Sequence, residues 1–507
     1  MVSNFSLRLR LPLIWLLCIS LGLLGHTAFV RAESPNKATP EAVWRAASRL
    51  GYAPTATLLQ ALQAHPQGPQ GWALAMLEDT WQASQRPAQL SLINPPRGLE
   101  KDDLDNLSWN LPTLFKAARE ERMARQAEKA SDKANEQDRE RFSRDMARQA
   151  AAWRVLTCSD PNLENPLLAR LTEFWFNHLN VFVGKGAVRP FVGNYLLHAI
   201  RPNVLGPYEQ MLRASAQHPA MLFYLDQAHS IGPESVGARM RPDNKPRGLN
   251  ENYARELLEL HTLGAQGGYT QNDVRELARI LTGWTIDPQS ESGFRFAPRL
   301  HDSGSKTLLG QTFPSNPNQL GQAEGEQALH LLAQHPATAQ RIALRLAQFF
   351  VSDHPPARLV DKLARTYQQT QGDLYALMRA LITSQEFWQS DATLFKTPFD
   401  FACSSLAVTG GVKSRQQLIQ TLGFLSSAGQ PVNGWQTPDG YKTDTATWLA
   451  PEALTRRADF AFAVGQGAGD LTYLQPFISA TNWQRIQQES PAQRAGLILA
   501  SPDFMNK

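Results

Sequence analysis

Residues 250–284 read NENYARELLELHTLGAQGGYTQNDVRELARILTGW, and their periodicity decides the class of fold. At 100° per residue, Glu251, Arg255 and Glu259 fall at successive i,i+4 positions on one polar face, beside Asn252 and Glu256. Tyr253, Ala254, Leu257, Leu258 and Leu260 make the opposite face. Gly264 then stops the helix as a C′ residue. After the turn AQGGY, Thr270 and Asp273 form a capping box for a second helix, whose stripe is Val274, Leu277, Ala278 and Leu281. The spacing predicts two antiparallel helices. Asn250 and His261 are the residues this grammar does not explain, since both project onto the apolar face.

Upstream, NPLLARLTEFWFNHLNVF (165–182) repeats the anomaly. Asn165 caps the helix and Pro166 occupies its first turn. Leu167, Leu171, Phe174, Trp175 and Phe182 define a buried face over 166–183, with His178 at its centre. A buried imidazole needs partners for its nitrogens. One reading makes each histidine a core residue bonded to backbone; the other makes the pair part of a polar site.

Helical periodicity continues along most of the chain, and no alternating run with hairpin turns interrupts it. The expected fold is mainly α, an irregular multi-helix globular arrangement with long connecting loops and little or no sheet. Composition divides it into a helical segment 33–112, a charged helix or hairpin 113–152, a central helical domain 153–323 and a C-terminal helical domain 324–507. The run 113–152 interleaves both charge signs and reads as a solvated face. The stretch 285–323 reads as a long loop, and its His301, Asp302 and Lys306 make it a candidate lid or ligand donor.

The N-terminus carries Arg8 and Arg10, an apolar run over 11–25, and small residues at Val30 and Ala32. This pattern predicts a signal peptide over 1–32 and a periplasmic or secreted protein, with no integral membrane segment after cleavage. Cleavage removes Arg8, Arg10 and Arg31 and no acid, lowering the formal charge from +4 to +1. Nucleic acid is therefore not expected as a partner. Cys158 and Cys403 remain, and an oxidising compartment would allow them to pair.

The strings FWFNHLNVF, the 250–284 stretch, HDSGSK and GQPVNGWQTPDGY resemble the bacterial family called domain of unknown function 1800. The resemblance implies an exported, mainly helical protein and supplies no activity. On its motifs fall Trp175, Asn177 and His178, then Asn250, Glu251, Arg255, Glu256, Glu259 and His261 of the central helix, then His301, Asp302 and Lys306. Members are often encoded beside a secreted protein resembling the sulfatase and alkaline-phosphatase superfamily, which suggests a partner.

Two functions follow as expectations. The first is a secreted enzyme acting on an extracellular polysaccharide or modified sugar. Its acid–base groups would be His178, His261, Glu256 and Glu259. Asn177, Asn250, Arg255, Trp175, His301, Asp302 and Lys306 would contact substrate, and Trp284, Trp435 and Trp448 are further candidates for sugar stacking. A divalent metal held by His178, His261, His301 and a carboxylate is the lesser variant. The second is a noncatalytic scaffold or chaperone for the sulfatase- or phosphatase-like partner, docking through the charged 116–149 face. No nucleophile elbow, phosphate loop or redox CxxC is present in the sequence, which keeps that reading open.

Overall fold

The computed structural model describes residues 39–130, 141–239, 248–315, 321–389 and 393–507. The expected signal peptide lies outside the described residues, as do residues 131–140 of the charged run. Helix accounts for 64% of the chain and strand for 4%, so helix packing sets the architecture. Residues Pro35–Lys507 form one unit, whose core runs from Val43 to Met505 and draws on every segment distinguished by composition.

The helix Pro166–His178 sits at the centre, buried from Leu167 to His178. Asn165 starts it by accepting from Leu168 N at 3.0 Å. Enclosure on all sides forces each charge on it to find a partner. Arg170 pairs with Asp400, and Glu173 pairs with Arg154. The helix ends at His178 rather than near 183, so His178 closes it and Phe182 lies outside it. A tertiary contact overrides the periodicity here. The Asn180 amide donates to the carbonyls of Trp435 and Thr437, at 3.1 and 2.9 Å, which pulls the chain out of helical register.

The helix pair of 250–284 forms as expected. Thr270 and Asp273 close the capping box, and Gly264 takes φ +87°. The first helix is not uniform, however. Glu251–Glu256 is α-helical and Leu257–His261 is a π turn. The Thr262 hydroxyl donates to the Leu257 carbonyl at 2.7 Å, and the Gly264 amide to that of Leu258 at 3.1 Å. Asn250 is not on the apolar face. It is the N-cap, accepting from Asn252 N at 3.0 Å and donating to the Leu225 carbonyl at 2.7 Å.

The stretch 285–323 departs from the expected loop. Trp284–Ile286 pairs with Phe294–Phe296, and Lys306–Leu308 pairs with Gln311–Phe313, both antiparallel. Strands of three residues are too short to show alternation. The second hairpin turns through Leu309 and Gly310, both at positive φ (50° and 80°). Leucine is a poor residue for that conformation, so the turn leaves no sequence signal. Asp273 supports it by accepting from Leu309 N at 2.7 Å.

Cys158 and Cys403 form a disulfide joining helix Arg141–Ser159 to helix Pro398–Val408. Among the described residues, no helix is long and apolar enough to cross a membrane.

Candidate functional site

His178 and His261 are both buried, with 3% and 1% of their surface exposed. The end of the π turn brings them together. A helix leaves its last carbonyls unpaired, and here the side chains of neighbouring helices take them up. Tyr208 Oη donates to the His261 carbonyl, His178 Nε2 lies 3.2 Å from the same oxygen, and Arg341 Nε donates to the Leu260 carbonyl at 3.0 Å. His178 Nε2 also lies 3.1 Å from Tyr208 Oη. A carbonyl only accepts, and the tyrosine proton is already directed to it. His178 therefore carries its proton on Nε2.

The ring of His261 is different. Its Nε2 is buried without a hydrogen-bond partner. Burial first, and then the Arg341 charge, pushes His261 down to about 3. Burial, Arg341 and Arg345 hold His178 well below the ordinary imidazole range. Both rings are thus neutral near pH 7 and do not titrate there. The expectation that they exchange protons at neutral pH does not fit this environment.

Charged groups gather around the same turn. Glu256 is half-buried, and burial, then Glu259 and Asp439, raise its carboxyl pKa. Tyr269 donates to Glu259 at 3.2 Å. Asp439 comes from the GQPVNGWQTPDGY loop, which is latched to the central helix. The Asn177 amide donates to the Tyr441 carbonyl at 2.9 Å and accepts from Tyr441 N at 2.6 Å. Tyr224 Oη donates to the Gln436 carbonyl at 2.7 Å. Gly440, at φ +71°, permits this approach, since a Cβ there would collide with Asn177. Asp439 is exposed, and its charge acts on Glu256, Tyr224 and Arg345.

Several expected site residues have other roles. Trp175 is 1% exposed and gives its indole N–H to the Val204 carbonyl at 3.1 Å, so it cannot stack on a substrate. Trp284 and Trp448 are buried as well, leaving Trp435 half-buried on the latched loop. Asn250 spends its side chain on capping. Arg255 is partly exposed and lies 3.8 Å from Glu251. His301, Asp302 and Lys306 do not form a lid. Asp302 holds Arg279 through two bonds of 2.8 and 3.2 Å, while His301 and Lys306 share Glu324 at 2.8 and 2.9 Å. This network pins the hairpins to the helices and, among the described residues, shares no hydrogen bond or ion pair with His178 or His261. Among the described residues, no group of three His, Cys, Asp or Glu is placed to hold a metal ion.

Tyr208, Arg341, Arg345 and Asp439 were absent from the expected set. Only the arginines left a trace in the sequence, as an i,i+4 pair in RIALRLAQFF. Fold and site together define a mainly helical protein with a polar centre built on a π turn. The chain belongs to the family described as protein of unknown function (DUF1800), whose profile matches residues 45–506. No curated protein and no solved structure matches it.

Proposed function

We propose that the protein is an exported acid–base enzyme acting on an extracellular polysaccharide, with Glu256 as general acid and Asp439 as general base. The observation that carries this reading is the raised Glu256 carboxyl set near the charge of a second, exposed carboxylate. A carboxyl raised by burial is suited to give a proton, and an exposed carboxylate beside it to accept one. In hydrolysis Glu256 gives its proton to the departing glycosidic oxygen as the C–O bond breaks. Asp439 takes a proton from the water that forms the new bond to the sugar carbon. Half-buried Trp435 offers a ring for the sugar face. The Cys158–Cys403 bond supports an oxidising compartment, in keeping with a periplasmic or secreted protein. His178 and Tyr208 hold the π turn that carries Glu259 and follows directly on Glu256.

The test is reducing-sugar release from a panel of acidic and neutral polysaccharides. Glu256→Gln and Asp439→Asn should each lower turnover at least a hundredfold with little change in melting temperature. Full activity in both variants would end this reading.

A noncatalytic scaffold for a secreted sulfatase- or phosphatase-like protein is favoured by a different observation. A cleft of about 1100 Å³ lies along helix Leu111–Ala130, with Lys116, Arg119 and Arg122 above Phe115, Phe191 and Phe223. A charged rim over an aromatic floor is the make-up of a docking surface. Co-purification of the partner, lost on reversing Lys116 and Arg119 to glutamate, would support it.

A further inference from the structure

The geometry points to an oxyanion-binding site in which Arg341 and Arg345 hold the carboxylate or sulfate group of an acidic sugar beside the unpartnered Nε2 of His261. This deepens the polysaccharide reading and rests on it.

Arg341 and Arg345 stand one turn apart on helix Pro336–Phe350, and both are half-buried. Two guanidinium groups so placed repel each other in a medium that screens poorly. Burial and the neighbouring Arg341 bring Arg345 down to about 10. Three buried arginines elsewhere in the fold meet a carboxylate: Arg154 meets Glu173, Arg170 meets Asp400 and Arg201 meets Glu164, whereas buried Arg457 donates to the Lys396 carbonyl. Arg341 donates from Nε to the Leu260 carbonyl at 3.0 Å and, among the described residues, makes no ion pair. Among the described residues, Arg345 makes no hydrogen bond and no ion pair. Asp439 acts on it but is exposed, so water screens that charge.

His261 supplies the independent observation. Its imidazole is 1% exposed, its Nε2 has no partner, and the Arg341 charge acts on it. A buried polar atom left unpaired is costly, and a ligand oxygen would satisfy it. Planar guanidinium groups match carboxylate and sulfate oxygens in pairs.

The experiment titrates the full protein, disulfide intact, with sodium sulfate, sodium glucuronate and glucose at matched ionic strength, reading the melting temperature. A saturable rise with sulfate or glucuronate, and none with glucose, is expected. A response to sulfate alone identifies a sulfate ester as the recognised group, and a response to glucuronate alone identifies a uronate. Arg345→Gln, which removes no bond of the fold, should weaken binding at least tenfold, while Arg485→Gln, at an exposed position on helix Ala480–Gln488, should leave it unchanged. Equal binding by wild type and Arg345→Gln, or no saturable response to either anion, overturns the site. Binding is read without turnover, so an inactive protein that still binds would count against the enzyme reading alone.

Discussion

His178 Nε2 lies 3.2 Å from the main-chain carbonyl of His261, so one histidine supports the backbone of the other and leaves that other's ring unbonded. The two imidazoles therefore differ in what they do for the fold. His178→Ala should cost about 1–3 kcal/mol, because it leaves the end of the π turn undersatisfied. His261→Leu removes a buried polar atom that has no partner and should change stability by less than about 1 kcal/mol. It should nevertheless weaken sulfate or glucuronate binding. Urea unfolding of both variants checks the contrast, and equal losses would refute it.

The buried histidines also set a pH dependence. Burial pushes His261 and the likewise buried His218 down from the ordinary 6.5 to about 3, and it lowers His178 in the same direction. The unfolded chain thus binds more protons than the folded one between about pH 6.5 and 3, so stability falls as pH falls through that window. It should be level just above pH 7 and decline steeply from pH 6 to 4. A melting temperature constant from pH 7 to 5 would contradict the burial of these rings.

The loop bearing Asp439 should come loose when its latch is removed. Gly440→Ala places a methyl group against Asn177 at a backbone φ of +71°, and Asn177→Ala removes both bonds to Tyr441. Each change should cost about 1–3 kcal/mol and open residues near 436 to proteolysis before the rest of the chain. Mass mapping of early cleavage sites reads this directly.

Lys306→Met strips the buried cation from Glu324 while His301 stays beside it. Breaking a buried pair by removing one partner costs about 3–5 kcal/mol. Anion binding at Arg345 should persist in the folded fraction, since the two networks share no bond. Loss of binding without loss of stability would restore the lid reading for this segment.

Reduction should lower the melting temperature. The disulfide spans 245 residues of sequence, and its loss is expected to cost about 2–5 kcal/mol. Cys403→Ser should reproduce the effect, and a melting curve insensitive to reductant would show that the bond does not form in solution.

The sequence by itself determined the helical class, the cap at Thr270, the stop at Gly264 and the burial of His178 and His261. Each depends on spacing and local chemistry within a turn or two of chain, which periodicity records. Tertiary structure decided what those residues meet. The end of helix Pro166–His178 is set by carbonyls from the 435–437 loop, and the π turn is held by Tyr208, Arg341 and His178. The HD-x-G-x-K segment turned from expected lid to buried strut because Arg279 and Glu324 meet it from other elements. Tyr208, Arg341, Arg345 and Asp439 come from three distant stretches of chain. No local pattern marks such residues, because their role arises from charges and carbonyls that only folding brings within hydrogen-bonding or electrostatic reach.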